Sequence, residues 1–140
     1  MSRIFWDTNL FIYLFEGSGR NAQAVVNLRQ RMSERGDELL TSTLTLGEIL
    51  VKPSESGDAQ LRTAYEEAIA REVVLLPFSR DAARLYAEIR RDRSIRPPDA
   101  IQLACAAHAR VDLFITNDDR LTTRSITGIQ FIQSLERAFL

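Results

Sequence analysis

Short apolar runs alternate with longer stretches of helical periodicity along the whole chain, and this alternation constrains the fold more than any other feature. Ile4-Phe5-Trp6, Leu39-Leu40-Thr41-Ser42, Val73-Val74-Leu75-Leu76 and Leu113-Phe114-Ile115-Thr116 are rich in β-branched and aromatic residues, which predicts four short buried strands, with Ile129 to Ile132 a weaker fifth. Between the first two runs lie a brief helix, Leu10 to Phe15, ended by Gly17-Ser18-Gly19, and a longer one from Asn21, with Ala24, Val25, Leu28 and Met32 on one face and Gly36 as its C-cap. A helix from about Thr45 should stop at Pro53, and another should run from Ala59 to Glu72 with Leu61, Ala64, Tyr65, Ala68 and Ile69 as its buried stripe. Ser79 or Asp81 can cap the next helix, which buries Ala82, Leu85, Tyr86 and Ile89. Pro97-Pro98 then introduces a small-residue helix, Ala100 to Ala109. Strands apolar on both faces and joined by helices call for a mainly parallel central sheet covered on each side, a three-layer α/β/α domain spanning 1–140 as one unit.

Composition narrows the function classes. A chain of 140 residues can bury a core without disulfides, and the single Cys105 excludes an internal one. The net charge of -1 removes bulk charge as a reason to bind polyanions. No apolar stretch reaches membrane-spanning length, because Glu16 and Gly17 interrupt the run from Leu10 to Phe15. Met1-Ser2-Arg3 leads straight into a strand-like segment, so no signal peptide and a cytoplasmic location are expected.

Four acidic residues stand at related places in this pattern. Asp7 follows the first strand and Asp118 the fourth; Glu48 lies on the helix after the second; Asp99 sits at the head of the Ala-rich helix. Each has an ordinary reading of its own. Aspartate favours turns, Thr45-Leu46-Gly47-Glu48 matches a capping box, and a carboxylate at a helix head complements the dipole. Together they fall along the carboxyl edge of a parallel sheet, where sites form. Carboxylates converging without basic partners repel one another, and a hard divalent cation relieves that repulsion. Oxygen-only ligands favour Mg²⁺ or Mn²⁺, while one Cys and one His cannot build a zinc site.

Around these acids, Asn9, Thr116 and Asn117 can donate hydrogen bonds to the carboxylates, and Asp119 is either an auxiliary ligand or a solvated turn residue. Lys52 is the only lysine, so almost all positive charge is arginine. The cluster Arg90, Arg91, Arg93 and Arg96, just before Asp99, could hold a phosphodiester substrate that carboxylates alone would repel; it also reads as the solvated end of an amphipathic helix.

Ile4-Phe5-Trp6-Asp7-Thr8-Asn9, the helix-borne Glu48, Pro98-Asp99-Ala100 with Ala104, and Ile115-Thr116-Asn117-Asp118 resemble the motifs of the PIN domain. In compactness the chain looks most like the VapC-type toxins of toxin–antitoxin pairs, and the resemblance covers essentially all of it. The resemblance implies that Asp7, Glu48, Asp99 and Asp118 form the family's acidic site, which binds Mg²⁺ or Mn²⁺ and cleaves RNA. It also implies a cognate antitoxin and a homodimer.

The residues support the same chemistry. The lone His108 lies within the Ala-rich helix and reads as a packed or surface histidine, which disfavours a Ser-His-Asp triad or a histidine-based ribonuclease site. Asp7, Asp99 and Asp118 would hold one or two ions, with Glu48 ligating through water or orienting the nucleophile, for hydrolysis of RNA phosphodiester bonds. A phosphotransfer enzyme using Asp7 as nucleophile fits poorly, because Asn9 stands where a second aspartate is needed and Lys52 is not after a late strand. A P-loop is absent. The remaining alternative is a non-catalytic PIN-like module that binds RNA or a partner.

Overall fold

The computed structural model describes residues 1–138; positions 139 and 140 of the expected 1–140 span lie outside them. The chain runs β1 (Arg3–Trp6), α1 (Thr8–Glu16), α2 (Arg20–Arg35), β2 (Glu38–Ser42), α3 (Thr43–Glu55), α4 (Ala59–Glu72), β3 (Val74–Leu76), α5 (Arg80–Ile89), α6 (Pro97–His108), β4 (Leu113–Thr116), α7 (Asp119–Thr122) and β5 (Phe131–Ser134). The strands form one five-stranded sheet in the order β3-β2-β1-β4-β5, and every pairing is parallel.

Alternation along the strands builds two cores. Ile4, Trp6, Leu39, Leu113 and Ile115 face α1 to α4 and pack with Leu10, Phe11, Leu28 and Met32. Phe5, Leu40 and Phe114 face the other way, onto α5 and α6. Phe5 and Phe114 are register partners across β1 and β4, with rings stacked at 5.0 Å between centroids. Full burial of such a side chain contributes about 1.5–3 kcal/mol. The small residues of α6 let it sit close to the sheet: Ala100, Ala104, Cys105, Ala106 and Ala107 are all buried. Local signals end the elements as expected. Gly36 takes the left-handed conformation (φ 73°) and caps α2, and the Ser79 hydroxyl accepts from Ala82 N–H to start α5.

Four elements depart from the sequence pattern, one of them the short α7, which the apolar periodicity does not announce. Helix α3 continues through Pro53 to Glu55: the proline forfeits its own N–H bond, but its ring is buried and its C=O accepts from Asp58 N–H beyond the helix end. Helix α4 buries Ile69 and half-buries Tyr65 and Ala68, but Leu61 and Ala64 are exposed, since only its C-terminal half reaches the sheet. The fifth strand is Phe131–Ser134 rather than Ile129 to Ile132. Gly128 (φ 99°) sits in a turn closed by Ile129 N–H on Ile126 C=O, which spends Ile129 on the core before pairing begins.

The order of the strands positions the site. From β1 the chain winds outward through β2 and β3, then crosses back to place β4 on the other side of β1. The crevice at the carboxyl ends of β1 and β4 is therefore the topological switch point, where α/β sheets bind ligands.

Candidate active site

Asp7 is the first residue past β1. It caps α1, its Oδ1 accepting from Thr8 N–H at 2.9 Å, while its Oδ2 accepts from Thr116 Oγ1 at 2.7 Å. The residue is only 7% exposed. Burial pushes its carboxyl up to about 6; the Thr116 and Thr8 hydrogen bonds pull against that rise, and the nearby charges of Asp99 and Glu48 add to it. Thr116 Oγ1 also accepts from Asp118 N–H at 3.0 Å, so one hydroxyl sets the spacing between the ends of β1 and β4.

Glu48 points into the same crevice from α3. Its Oε1 accepts from Thr8 Oγ1 at 2.7 Å. The capping-box alternative does not hold, because α3 starts two residues earlier than Thr45 and its N-cap is Ser42, whose hydroxyl accepts from Thr45 N–H. Asp99 stands in the first turn of α6, its carboxylate 3.5 Å from Arg96 Nε. Asp118 caps the short α7. Its Oδ1 accepts from the backbone N–H and Nε of Arg120 at 3.0 and 2.9 Å, and its Oδ2 from an Arg120 terminal nitrogen at 2.5 Å. Arg120 holds the Asp118 carboxyl below the usual carboxylate range.

These four carboxylates share one open pocket of about 290 Å³, together with Thr8, Asn9, Ile12, Arg96, Pro98 and Gln102. The other residues expected near the site divide. Thr116 donates to Asp7, whereas Asn9 accepts from Asn117 N–H, and the Asn117 amide donates to Tyr13 Oη. Asp119 is exposed at the start of α7 and does not line the pocket. Of the four clustered arginines, only Arg96 borders it. Arg90 donates to Ile95 C=O, Arg91 pairs with Glu88, and Arg93 is exposed. His108 is exposed at the far end of α6 from Asp99.

No local pattern announces the polar hub beneath the acids. Gln102 is 2% exposed on α6. Its Nε2 donates to Thr8 Oγ1 at 2.9 Å and Thr45 Oγ1 at 2.7 Å, and its Oε1 accepts from the Ser42 hydroxyl. With the amide supplying Thr8 as acceptor, the Thr8 hydroxyl proton is directed to Glu48. The available signal was a lone glutamine within the apolar run from Ala100 to Ala107. Arg120 was missed as well; two positions past Asp118, it reads as an ordinary turn residue.

A family model described as the PIN domain matches residues 4–125. The chain belongs to the PIN domain family. A comparison with curated proteins gave no match. Among solved structures, this PIN domain is similar to VapBC2 from Rickettsia felis bound to a DNA fragment from their promoter, with a TM-score of 0.75 and 14% identity over 94% of this chain and 98% of that one. It is similar to DNA-bound VapBC from Salmonella typhimurium (TM-score 0.72, 23% identity, 96% and 99% covered). A toxin–antitoxin complex from Klebsiella pneumoniae gives a TM-score of 0.66 at 24% identity, over 90% and 94% of the two chains. At these identities the likeness is one of fold.

PIN domains generally use divalent metal ions, and the donor set here fits one chemically. The pocket offers carboxylate oxygens and neither cysteine nor histidine, and Asp7 is a buried acid with no cationic partner among the described residues. As the side chains stand, no three carboxylates among the described residues gather tightly enough to grip a single ion, and Asp118 is turned to Arg120.

Proposed function

We propose that this PIN domain is a divalent-metal-dependent endoribonuclease acting as the toxin of a VapBC-type toxin–antitoxin pair. The observation that carries the reading is the buried Asp7, set at the switch point of the sheet in one pocket with Glu48, Asp99 and Asp118. Family membership supports nuclease chemistry, since PIN domains are generally nucleases.

In this reading Asp7, Asp99 and Asp118 hold Mg²⁺ or Mn²⁺, with Glu48 ligating directly or through water. The bound ion supplies Lewis acidity toward the scissile phosphate and lowers the pKa of a water. The protein's own groups do the rest. Thr116 and Thr8 fix the rotamer of Asp7, while Thr8, oriented by Gln102, fixes that of Glu48. Arg96 stands at the mouth of the pocket, where it offsets carboxylate charge as an RNA phosphate enters. Hydrolysis leaves a 5′-phosphate and a 3′-hydroxyl.

The toxin role is supported by fold-level similarity to structures described as toxin–antitoxin complexes. An apolar cleft of about 440 Å³ between α1, α2 and α4 offers Leu14, Phe15, Val26 and Ala68 to the apolar face of an antitoxin helix, over a floor that includes the buried Phe11 and Ile69. The toxin acts in the cytoplasm, and as a homodimer. Mapping the 5′-phosphate ends of cellular RNA after expressing wild type and Asp7→Asn tests the central reading. New ends are expected with wild type alone. Equal ends from both proteins overturn the assignment of Asp7.

A further inference from the structure

Asp118 is the one acid of the pocket held by a two-pronged grip. The Nε and a terminal nitrogen of Arg120 meet its two oxygens side-on, at 2.9 and 2.5 Å, and Arg120 N–H adds a third contact at 3.0 Å. A carboxylate offers about four lone-pair sites. Three are occupied by Arg120, and Arg96 approaches Oδ2 at 4.0 Å. Asp7, Glu48 and Asp99 are bound differently: hydroxyls and a backbone N–H hold the first two, and Arg96 stands off the third at 3.5 Å. The Arg120 side chain is 57% exposed, and its side-chain hydrogen bonds go to Asp118. Among the described residues no other side-chain hydrogen bond holds the guanidinium, and the charge of Asp99 adds a weaker attraction. α7 itself is anchored by the buried Leu121, so the side chain can swing out without moving its backbone.

A divalent ion on Asp118 would compete for the lone pairs that Arg120 occupies, and would meet a guanidinium within a few ångströms. The two cations exclude each other. We propose that Arg120 is an internal stand-in for the metal: it neutralises Asp118 in the metal-free protein and must be displaced before the ion loads. This rests on the metal-nuclease reading above and adds a guard to the same site. Arg120 acts through Asp118 and is a positioning residue. The guard has a direct consequence. Some of the ion's binding energy goes into breaking the pair, so metal affinity is lower than the carboxylates alone would give.

The test is an affinity gain, which damage to the fold cannot mimic. Free Mn²⁺ is followed by its electron paramagnetic resonance signal as it is titrated into wild type, Arg120→Gln, Arg120→Lys and Arg96→Gln. Arg120→Gln should bind Mn²⁺ about three- to fivefold more tightly than wild type, the range expected for releasing a solvent-screened pair. Arg120→Lys keeps a charge without the planar fork and should fall between the two. Arg96→Gln, lacking the close contact, should tighten binding less than Arg120→Gln. In thermal melts without metal, Arg120→Gln should unfold below wild type, and the rise on adding Mn²⁺ should be larger. Wild-type or weaker Mn²⁺ affinity in Arg120→Gln, with wild type itself binding, overturns the guard alone. No Mn²⁺ binding by wild type overturns the metal-nuclease reading and the guard with it.

Discussion

Replacing Asp7 by asparagine should stabilise the metal-free protein at neutral pH while abolishing RNA cleavage. Asp7 is buried at the end of β1, and burial raises its carboxyl from 3.8 to about 6, despite hydrogen bonds from Thr116 and Thr8 that favour the charged form. A rise of about two units, at about 1.36 kcal/mol each, costs the native state about 3 kcal/mol once the group is ionised. The sign is the reverse of a salt-bridged aspartate. Between pH 3.8 and about 6 the folded protein holds the proton more tightly than the unfolded chain, so stability falls as pH rises through this window and is level above it. Asparagine has the same shape and no charge. Its Oδ1 can accept from Thr8 N–H, and its Nδ2 can donate to Thr116 Oγ1 by reversing the sense of that hydrogen bond.

The variant should therefore exceed wild type by up to about 3 kcal/mol at pH 8, or roughly 10 °C in midpoint for a chain of this size, and by little at pH 4. Thermal melts of both proteins in a chelator from pH 4 to 8 measure it. A variant less stable than wild type at pH 8, or a difference that does not change with pH, would refute the account of Asp7 as a strained buried acid. The energetic logic is that of many active sites, where a group kept for chemistry destabilises the fold that holds it.

Further outcomes follow from the neighbours of Asp7. Gln102→Leu preserves volume but strips partners from the buried Ser42 and Thr45 hydroxyls, and should cost about 1–3 kcal/mol in urea denaturation, with an added loss of cleavage because Thr8 no longer directs its proton to Glu48. Asp99→Asn should reduce RNA cleavage about a hundredfold or more, whereas Asp119→Asn, outside the pocket, should leave it near wild type; a cleavage assay on one purified RNA compares the two.

The element order was legible because its causes are local. A strand apolar on both faces, a glycine able to take φ 73° after α2, and a serine hydroxyl three residues before an amide it can accept from all act within a few positions of themselves. The same locality placed Asp7 and Asp118 at strand ends and Asp99 at a helix head, so their sharing of one pocket could be anticipated from sequence periodicity. Where local signals competed, the pattern misled. Pro53 signals a stop, yet α3 runs two residues past it with the ring buried, and Ile129 signals a strand, yet the turn at Gly128 claims it first.

The sequence alone thus determined the succession of strands and longer helices, though not the short α7, and the set of oxygen donors at their ends. Only the tertiary structure decided what each donor meets. Glu48 could have returned to the backbone of Thr45; the fold brings Thr8, 40 positions away in sequence, to its carboxylate instead. Gln102 joins α6 to α1, α3 and the end of β2, and Thr116 reaches Asp7 across 109 positions. Such contacts depend on strand order and on which helix crosses which face, quantities set by packing the whole core and invisible to any short window of residues.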